Sequence, residues 1–181
     1  MNIFEIPLRI IPEERKTVTV SYDGAVCSIK VPISLKRQPK RGAGYIDRVY
    51  WKILGQIFEP KLKERTEELN CFFYNFPYQS VRYHRQFRRW GSCSSLRNIN
   101  ISHRLIGAPQ FLVDYVIIHE LAHLKHLDHS RDFWDLVRKT GVEPRLIRKN
   151  IQQYGYTWHL DYQKWLIKVK QLIVESEIPK K

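Results

Sequence analysis

The spacing of apolar positions changes character several times along the chain. Between residues 3 and 33 apolar and polar residues alternate. Thr17-Val18-Thr19-Val20-Ser21-Tyr22 and Val26-Cys27-Ser28-Ile29-Lys30-Val31 read as strands joined by the turn signal Asp23-Gly24. Residues 34–44 hold Pro39, Gly42, Gly44 and four cations, Lys36, Arg37, Lys40 and Arg41, which predicts a loop. From Tyr45 the period becomes helical, with Ile46, Val49, Tyr50, Ile53, Leu54 and Ile57 on one face. Pro60 predicts the start of a further helical segment to Leu69. Residues 71–87 are aromatic and β-prone, and the small residues of Arg88–Ser95 predict a tight loop. Asn98-Ile99-Asn100-Ile101-Ser102 alternates like a half-buried strand.

Pro109 suits the first position of a helix. Phe111 to Leu127 is apolar almost all round, so this helix is expected at the centre, buried. Asp128-His129-Ser130 breaks it. Ser130 can cap a following helix that places Asp132 and Asp135 near its start and Arg138 and Lys139 near its end, as the dipole prefers. Gly141 ends that helix, and the tail from Glu143 to Glu177 reads as helical. No internal repeat or low-complexity segment is visible.

A chain of 181 residues with 43% apolar and 27% charged residues is long enough for one domain with a real core. The expected organisation is a single domain over 1–181: N-terminal strands to residue 40, a core over 45–138 and a helical extension over 139–181. No run approaches 18 apolar residues, so no membrane partner is expected, and the start lacks the pattern of a secretory signal. Three cysteines at wide spacing, Cys27, Cys71 and Cys93, exclude a disulfide framework and fit a reducing, cytoplasmic compartment. The formal charge of +13 is the unusual quantity, and favours DNA, another polyanion or acidic proteins as partners.

The candidate chemistry sits on the central helix, in His119-Glu120-Leu121-Ala122-His123. Histidines four apart lie on one helical face and can converge on one metal ion. Glu120 is rotated by about 100° from His119, near enough to take a proton from water without occupying the metal. Chance supplies about 0.016 such motifs in a chain of this composition. A catalytic site with an open position needs a third ligand. His126 lies about 10.5 Å along the axis from His119, too far to close a tetrahedron from a straight helix. His129 follows the expected break, where the chain can turn back, and is the favoured ligand.

His119-Glu120-Leu121-Ala122-His123 with His129-Ser130 and Phe133-Trp134 resembles the YgjP-like branch of zinc metallopeptidase domains and is similar to the SprT-like proteases. Arg89-Trp90-Gly91-Ser92-Cys93-Ser94-Ser95 and Asn98-Ile99-Asn100 resemble a second block of that family. Lys16-Thr17-Val18 with Asp23-Gly24 resembles its N-terminal strands. The likeness runs from about residue 15 to about residue 138. It implies an α+β, zincin-like fold: a small twisted, mostly antiparallel sheet packed on the buried H-E-x-x-H helix. It implies zinc held by His119, His123 and His129, Glu120 as general base and a polypeptide substrate. It also implies an edge strand near Asn98–Ser102 where an extended peptide could pair. The histidine spacing equals that of the metzincins, but His126 stands at their glycine, and Met1 is the only methionine. Glu143 remains as an alternative third ligand. Tyr154, Tyr156 and His159 are candidates for stabilising an oxyanion, with nothing in the spacing to select among them. Cys93 reads as an inert thiol.

Residues 82–104 hold six arginines, Arg82, Arg85, Arg88, Arg89, Arg97 and Arg104, and no acid, with Tyr83, Phe87 and Trp90 between them. Such a mixture suits phosphate contacts with base stacking. Arg85, Arg88, Arg89, Trp90, Asn98 and Asn100 are therefore the candidate contacts for substrate or nucleic acid. The competing functions are a metal-dependent hydrolase of nucleotides or phosphate esters and a non-enzymatic nucleic-acid-binding module.

Overall fold

The computed structural model describes residues 3–176. The contacts divide this chain into two compact units, a terminal unit of residues 3–53 and 157–176 and a central unit of residues 54–156. The expected α+β class is observed, with two small mixed sheets where one mostly antiparallel sheet was expected.

The terminal unit begins with β1 (Leu8–Glu13), β2 (Thr19–Tyr22) and β3 (Cys27–Pro32). The sheet order is β1-β3-β2, with β1 parallel and β2 antiparallel to β3. The Asp23-Gly24 turn forms as the sequence predicts. Asp23 Oδ1 accepts from the Ala25 and Val26 N–H groups at 2.9 and 2.8 Å, and Gly24 takes φ +99°. Cys27, Ile29 and Val31 form the buried face of β3. They belong to a unit whose interior is strongly aromatic: Tyr50, Trp51, Trp158 and Trp165 are all buried, and the Tyr50 and Trp165 rings lie 4.8 Å apart. Asp47, also buried, accepts the Tyr162 hydroxyl at 3.0 Å.

The segment expected as a loop is helical. A short α1 (Ile33–Lys36) leads into α2 (Pro39–Phe73). Pro39 supplies a φ already suited to a helix start. Gly42 sits in a tight place, because a Cβ there would lie 3.3 Å from Ile173 Cδ1 and from the Leu35 carbonyl. The helix also runs unbroken through Pro60, at the cost of the one hydrogen bond that this residue cannot donate.

The central unit holds β4 (Ser80–His84), β5 (Gly91–Cys93) and β6 (Asn98–Ser102), ordered β4-β6-β5. β5 lies within the segment expected as a loop. Its three residues pair antiparallel with Ile101, Asn100 and Ile99. β4 pairs parallel with β6. The strand Asn98–Ser102 is therefore the middle of the sheet rather than its edge, and β5 is the edge beside α3 (Gln110–Ala122).

The apolar surround of α3 explains its place in the core. Leu112, Val116, Ile117, Ile118 and Leu121 are buried and cluster with Ile99 and Ile101 of β6. Each such side chain contributes about 1.5–3 kcal/mol of burial. Arg65 of α2 fixes this helix through a two-pronged pair with Asp114, Nε to Oδ1 and Nη2 to Oδ2, both at 2.8 Å. The helix ends at Ala122, before the apolar run does, and Leu127 is exposed on the following turn. Ser130 occupies the N-cap of α4 (Arg131–Arg138), although its side chain makes no capping bond. Gly141, at φ +80°, closes α4, and α5 (Pro144–Glu175) follows.

Candidate metal centre

Three imidazoles meet where α3 ends. His119 lies in its last turn, His123 is its C-cap residue, and His129 is carried back by the turn before α4. One ring nitrogen from each lies within 4.8 Å of the others. The closest approach is His129 Nε2 to His119 Nε2, 3.1 Å. Two zinc–nitrogen bonds at the tetrahedral angle place their nitrogens about 3.3 Å apart, so this pair matches the edge of a zinc tetrahedron. His123 Nδ1 donates to the His126 carbonyl at 2.9 Å, which leaves Nε2 of His123 as the nitrogen able to take a metal. His126 thus acts through its backbone and its ring stands outside the cluster, as does Glu143, whose carboxylate accepts from the Arg145 N–H. His119 Nδ1 is buried without a partner.

Metal ligation needs neutral imidazoles. Burial, reinforced by His123 and His129, holds His119 down to about 3. Burial and His123 also hold His129 below its ordinary value. Phe133 and Trp134 pack on the cluster: the His123 and Phe133 rings are 4.6 Å apart, and Trp134 stacks on His129 at 5.4 Å. Glu120 is buried beside the trio, and burial pushes its carboxyl up to about 8 against the pull of Arg89. Gly91 of β5 makes room for it. A Cβ at Gly91 would clash with Glu120 Oε1 and sit 2.7 Å from its Cγ.

The three imidazoles, Glu120 and Gly91 line one cleft of about 570 Å³. Arg89, Trp90, Gly91, Ser92 and Cys93 enter it from the β5 side, and Arg148 and Ile151 from α5. Trp90 is held from behind: Arg104 lies 3.7 Å over its ring, Tyr154 packs at 6.1 Å, and a Cβ on Gly155 would come within 2.8 Å of it. The Cys93 thiol is pushed up to about 11 by burial, which keeps it inert.

Other candidates are placed elsewhere. Asn98 accepts from the Ser80 hydroxyl at 2.6 Å, and Asn100 accepts from Arg82 at 3.1 Å, so both amides tie β6 to its neighbours and neither lines the cleft. Arg85 lies over Phe87 at 4.7 Å, and Arg88 is exposed. The Tyr154 hydroxyl donates to the Arg104 carbonyl at 2.8 Å and is committed there. Tyr115, Trp134 and Arg148 were missed as site residues. Tyr115 precedes His119 by one helical turn, a spacing that could have marked it. Arg148 is marked in the sequence only as one cation of the basic run Arg138, Lys139, Arg145, Arg148 and Lys149.

A helix-borne histidine pair, a third imidazole on the next turn and a buried carboxylate facing the same cleft form a site of the metal-dependent hydrolase class. The chain belongs to the YgjP-like metallopeptidase domain family, whose model matches residues 3–153. No curated protein and no solved structure matches it. The family implies a metal cofactor and a polypeptide substrate, and the histidine cluster can hold such a metal. Among the described residues, no helix is long and apolar enough to cross a membrane.

Proposed function

We propose that this protein is a zinc-dependent peptidase with His119, His123 and His129 as ligands and Glu120 as general base. The observation that carries the reading is the 3.1 Å approach of two imidazole nitrogens beside a buried carboxylate in an open cleft. An all-nitrogen, three-ligand set with space beyond it suits catalytic zinc. Zinc supplies Lewis acidity there, polarising a carbonyl and acidifying water. Glu120 takes the proton of the attacking water and passes it to the leaving amine. Burial makes the Glu120 carboxylate a stronger base, and a bound cation would favour the ionised form from which it takes the proton. β5 is the strand beside which an extended peptide lies, because its outer edge pairs with no other strand of the sheet. Three free thiols suit a reducing cytoplasm.

The test is zinc content and peptide hydrolysis across three variants. Glu120→Gln is expected to keep zinc and lose hydrolysis by roughly a thousandfold or more. His129→Ala is expected to lose zinc, and His126→Ala to keep it. Turnover unchanged in Glu120→Gln removes the general base, and equal zinc loss at His126 and His129 removes the third ligand. A nucleotide panel run with the same protein separates peptide from phosphate-ester hydrolysis.

Nucleic acid is a second partner in this reading, favoured by the exposure of Arg82, Arg85, Arg88, Arg89 and Arg97. Anisotropy with a labelled oligonucleotide should then weaken steeply with salt, with a slope of about −0.7 per neutralised phosphate. Arg85→Glu with Arg88→Glu should weaken it further for all sequences alike. Arg104 and Tyr154 pack against the Trp90 ring, so a stacked base would have to reach it from the cleft that it lines.

A further inference from the structure

The cleft contains two cations and one carboxylate. The carboxylate is Glu120, buried and facing Gly91. The cations are Arg89 and Arg148. Arg148 is held by two aromatic side chains. Its guanidinium lies 4.6 Å from the centre of the Trp134 ring, and its charge acts on the Tyr115 hydroxyl. The same two aromatics pack on the imidazoles: Trp134 stacks on His129, and the Tyr115 ring lies 6.0 Å from that of His119. The arginine is thereby fixed relative to the histidine cluster. Among the described residues no carboxylate forms an ion pair with it, Glu143 in the adjoining hollow included.

A restrained guanidinium beside a reaction site, with no carboxylate among the described residues paired to it, is matched by an anion on the substrate. For a polypeptide that anion is a carboxylate, which accepts two parallel N–H bonds from the guanidinium fork. We propose that Arg148 is the receptor for a substrate carboxylate, so that the cleft selects acidic polypeptides. This inference rests on the peptidase reading above. Tyr115 and Trp134 are positioning residues for it. The surplus of +13 draws the same acidic chains toward the protein from a distance. The carboxylate has two sources, an acidic side chain near the scissile bond or the substrate's own C-terminus.

Both sources are tested with labelled peptides that differ only in charge. One set has an amidated end and Glu, Gln or Lys beside the cleavage position. A further Gln peptide has a free C-terminus. Binding is measured by anisotropy on the full chain carrying Glu120→Gln, zinc-loaded and zinc-free, and cleavage is measured on the wild type. The expected result is about tenfold tighter binding of the Glu peptide than of its Gln isostere, the worth of one charge-assisted contact. The same gain for the free-ended Gln peptide instead assigns the carboxylate to the chain end. Arg148→Glu should erase the gain and favour the Lys peptide, whereas Arg148→Lys should retain part of it. High salt should shrink the difference, as the arginine is exposed. Thermal unfolding and zinc content of each variant establish that its fold is intact. Equal binding of all peptides, or a preference that survives Arg148→Glu, overturns the inference alone. Failure to bind or cleave any peptide overturns the peptidase reading with it.

Discussion

The two sheets share one plan and differ in what they serve. In each, the last strand in sequence lies in the middle, the first joins it in parallel and the second antiparallel. In each, a four-residue connection, 23–26 or 94–97, links the antiparallel pair. The first residue of that connection ties the turn: Asp23 accepts from Ala25 and Val26, and the Ser94 hydroxyl accepts from the Asn98 N–H at 3.1 Å. Only the second sheet borders the cleft. The difference lies in the antiparallel edge. β2 reads Thr-Val-Ser-Tyr, with β-branched and aromatic bulk, while β5 reads Gly-Ser-Cys. The missing side chain at Gly91 is the space that the Glu120 carboxyl fills. A common topology thus acquires chemistry by leaving a side chain out.

The strongest way to break this comparison is to put the side chain back. Gly91→Ala should displace Glu120 and lower hydrolysis by about a hundredfold or more, since a misplaced general base loses most of its contribution. Thr19→Ala on β2 should leave hydrolysis unchanged. Assays of both variants on one peptide decide it, and an active Gly91→Ala would mean that the carboxyl needs no such space.

The residue that follows the middle strand offers a second contrast. After β3 it is Ile33, and after β6 it is the buried His103. His103 Nδ1 accepts from the Gln86 N–H at 3.2 Å, and burial, then Arg85, hold its pKa down to about 3. The folded value lies below the unfolded value of about 6.5, so the associated stability is complete above that pH and is lost as the pH falls toward 3. At pH 5 the loss is about 2 kcal/mol. Denaturant titrations at pH 7 and 5 should show that loss in the wild type and a smaller one in His103→Gln. Parallel losses in both proteins would assign the acid sensitivity elsewhere.

Weaker effects are expected where the elements are clamped and turned. Asp114→Asn should cost about 1–2 kcal/mol by breaking the paired grip of Arg65 on α3, partly exposed as it is. At the two hairpins, Gly24→Ala should cost about 1 kcal/mol because its φ is +99°. Arg97, a non-glycine residue at φ +59°, should gain up to about 1 kcal/mol as Arg97→Gly. Urea midpoints read both, and a loss at Arg97→Gly would show that its contact with the Pro77 carbonyl outweighs the strain.

Much of this organisation is written in local chemistry. The Asp23-Gly24 hairpin, the apolar α3 and the return of His129 follow from turn residues, burial pattern and helix geometry over a few residues. Other features depend on partners remote in sequence. Residues 34–44 carry two glycines and a proline, yet fold largely as helix, with Leu35 and Ile173 packed close to Gly42. β5 has no strand propensity, and its three residues are extended because β6 pairs with them. The swap of edge and middle strand has the same origin, since alternation along Asn98–Ser102 records burial but not position in the sheet. The repeated sheet plan leaves no repeat in sequence, because topology constrains hydrogen bonds rather than side-chain identity. The place of Arg148 is hidden for a similar reason: the basic run Arg138, Lys139, Arg145, Arg148 and Lys149 marks charge, and only α5 brings one of these residues to the cleft.

The distribution of indole rings gives the protein a built-in optical readout. Trp51, Trp158 and Trp165 are buried in the terminal unit. The remaining two, Trp90 and Trp134, belong to the central unit, one lining the cleft and the other stacked on His129. Emission from the first three reports the integrity of an aromatic interior. Emission from Trp134 reports the occupancy of the imidazoles beside it, and emission from Trp90 reports events in the cleft that it lines. Replacing Trp90 and Trp134 by phenylalanine separates the signals, so that events at the cleft and the melting of the terminal unit can be followed independently, in the same cuvette and without an attached dye.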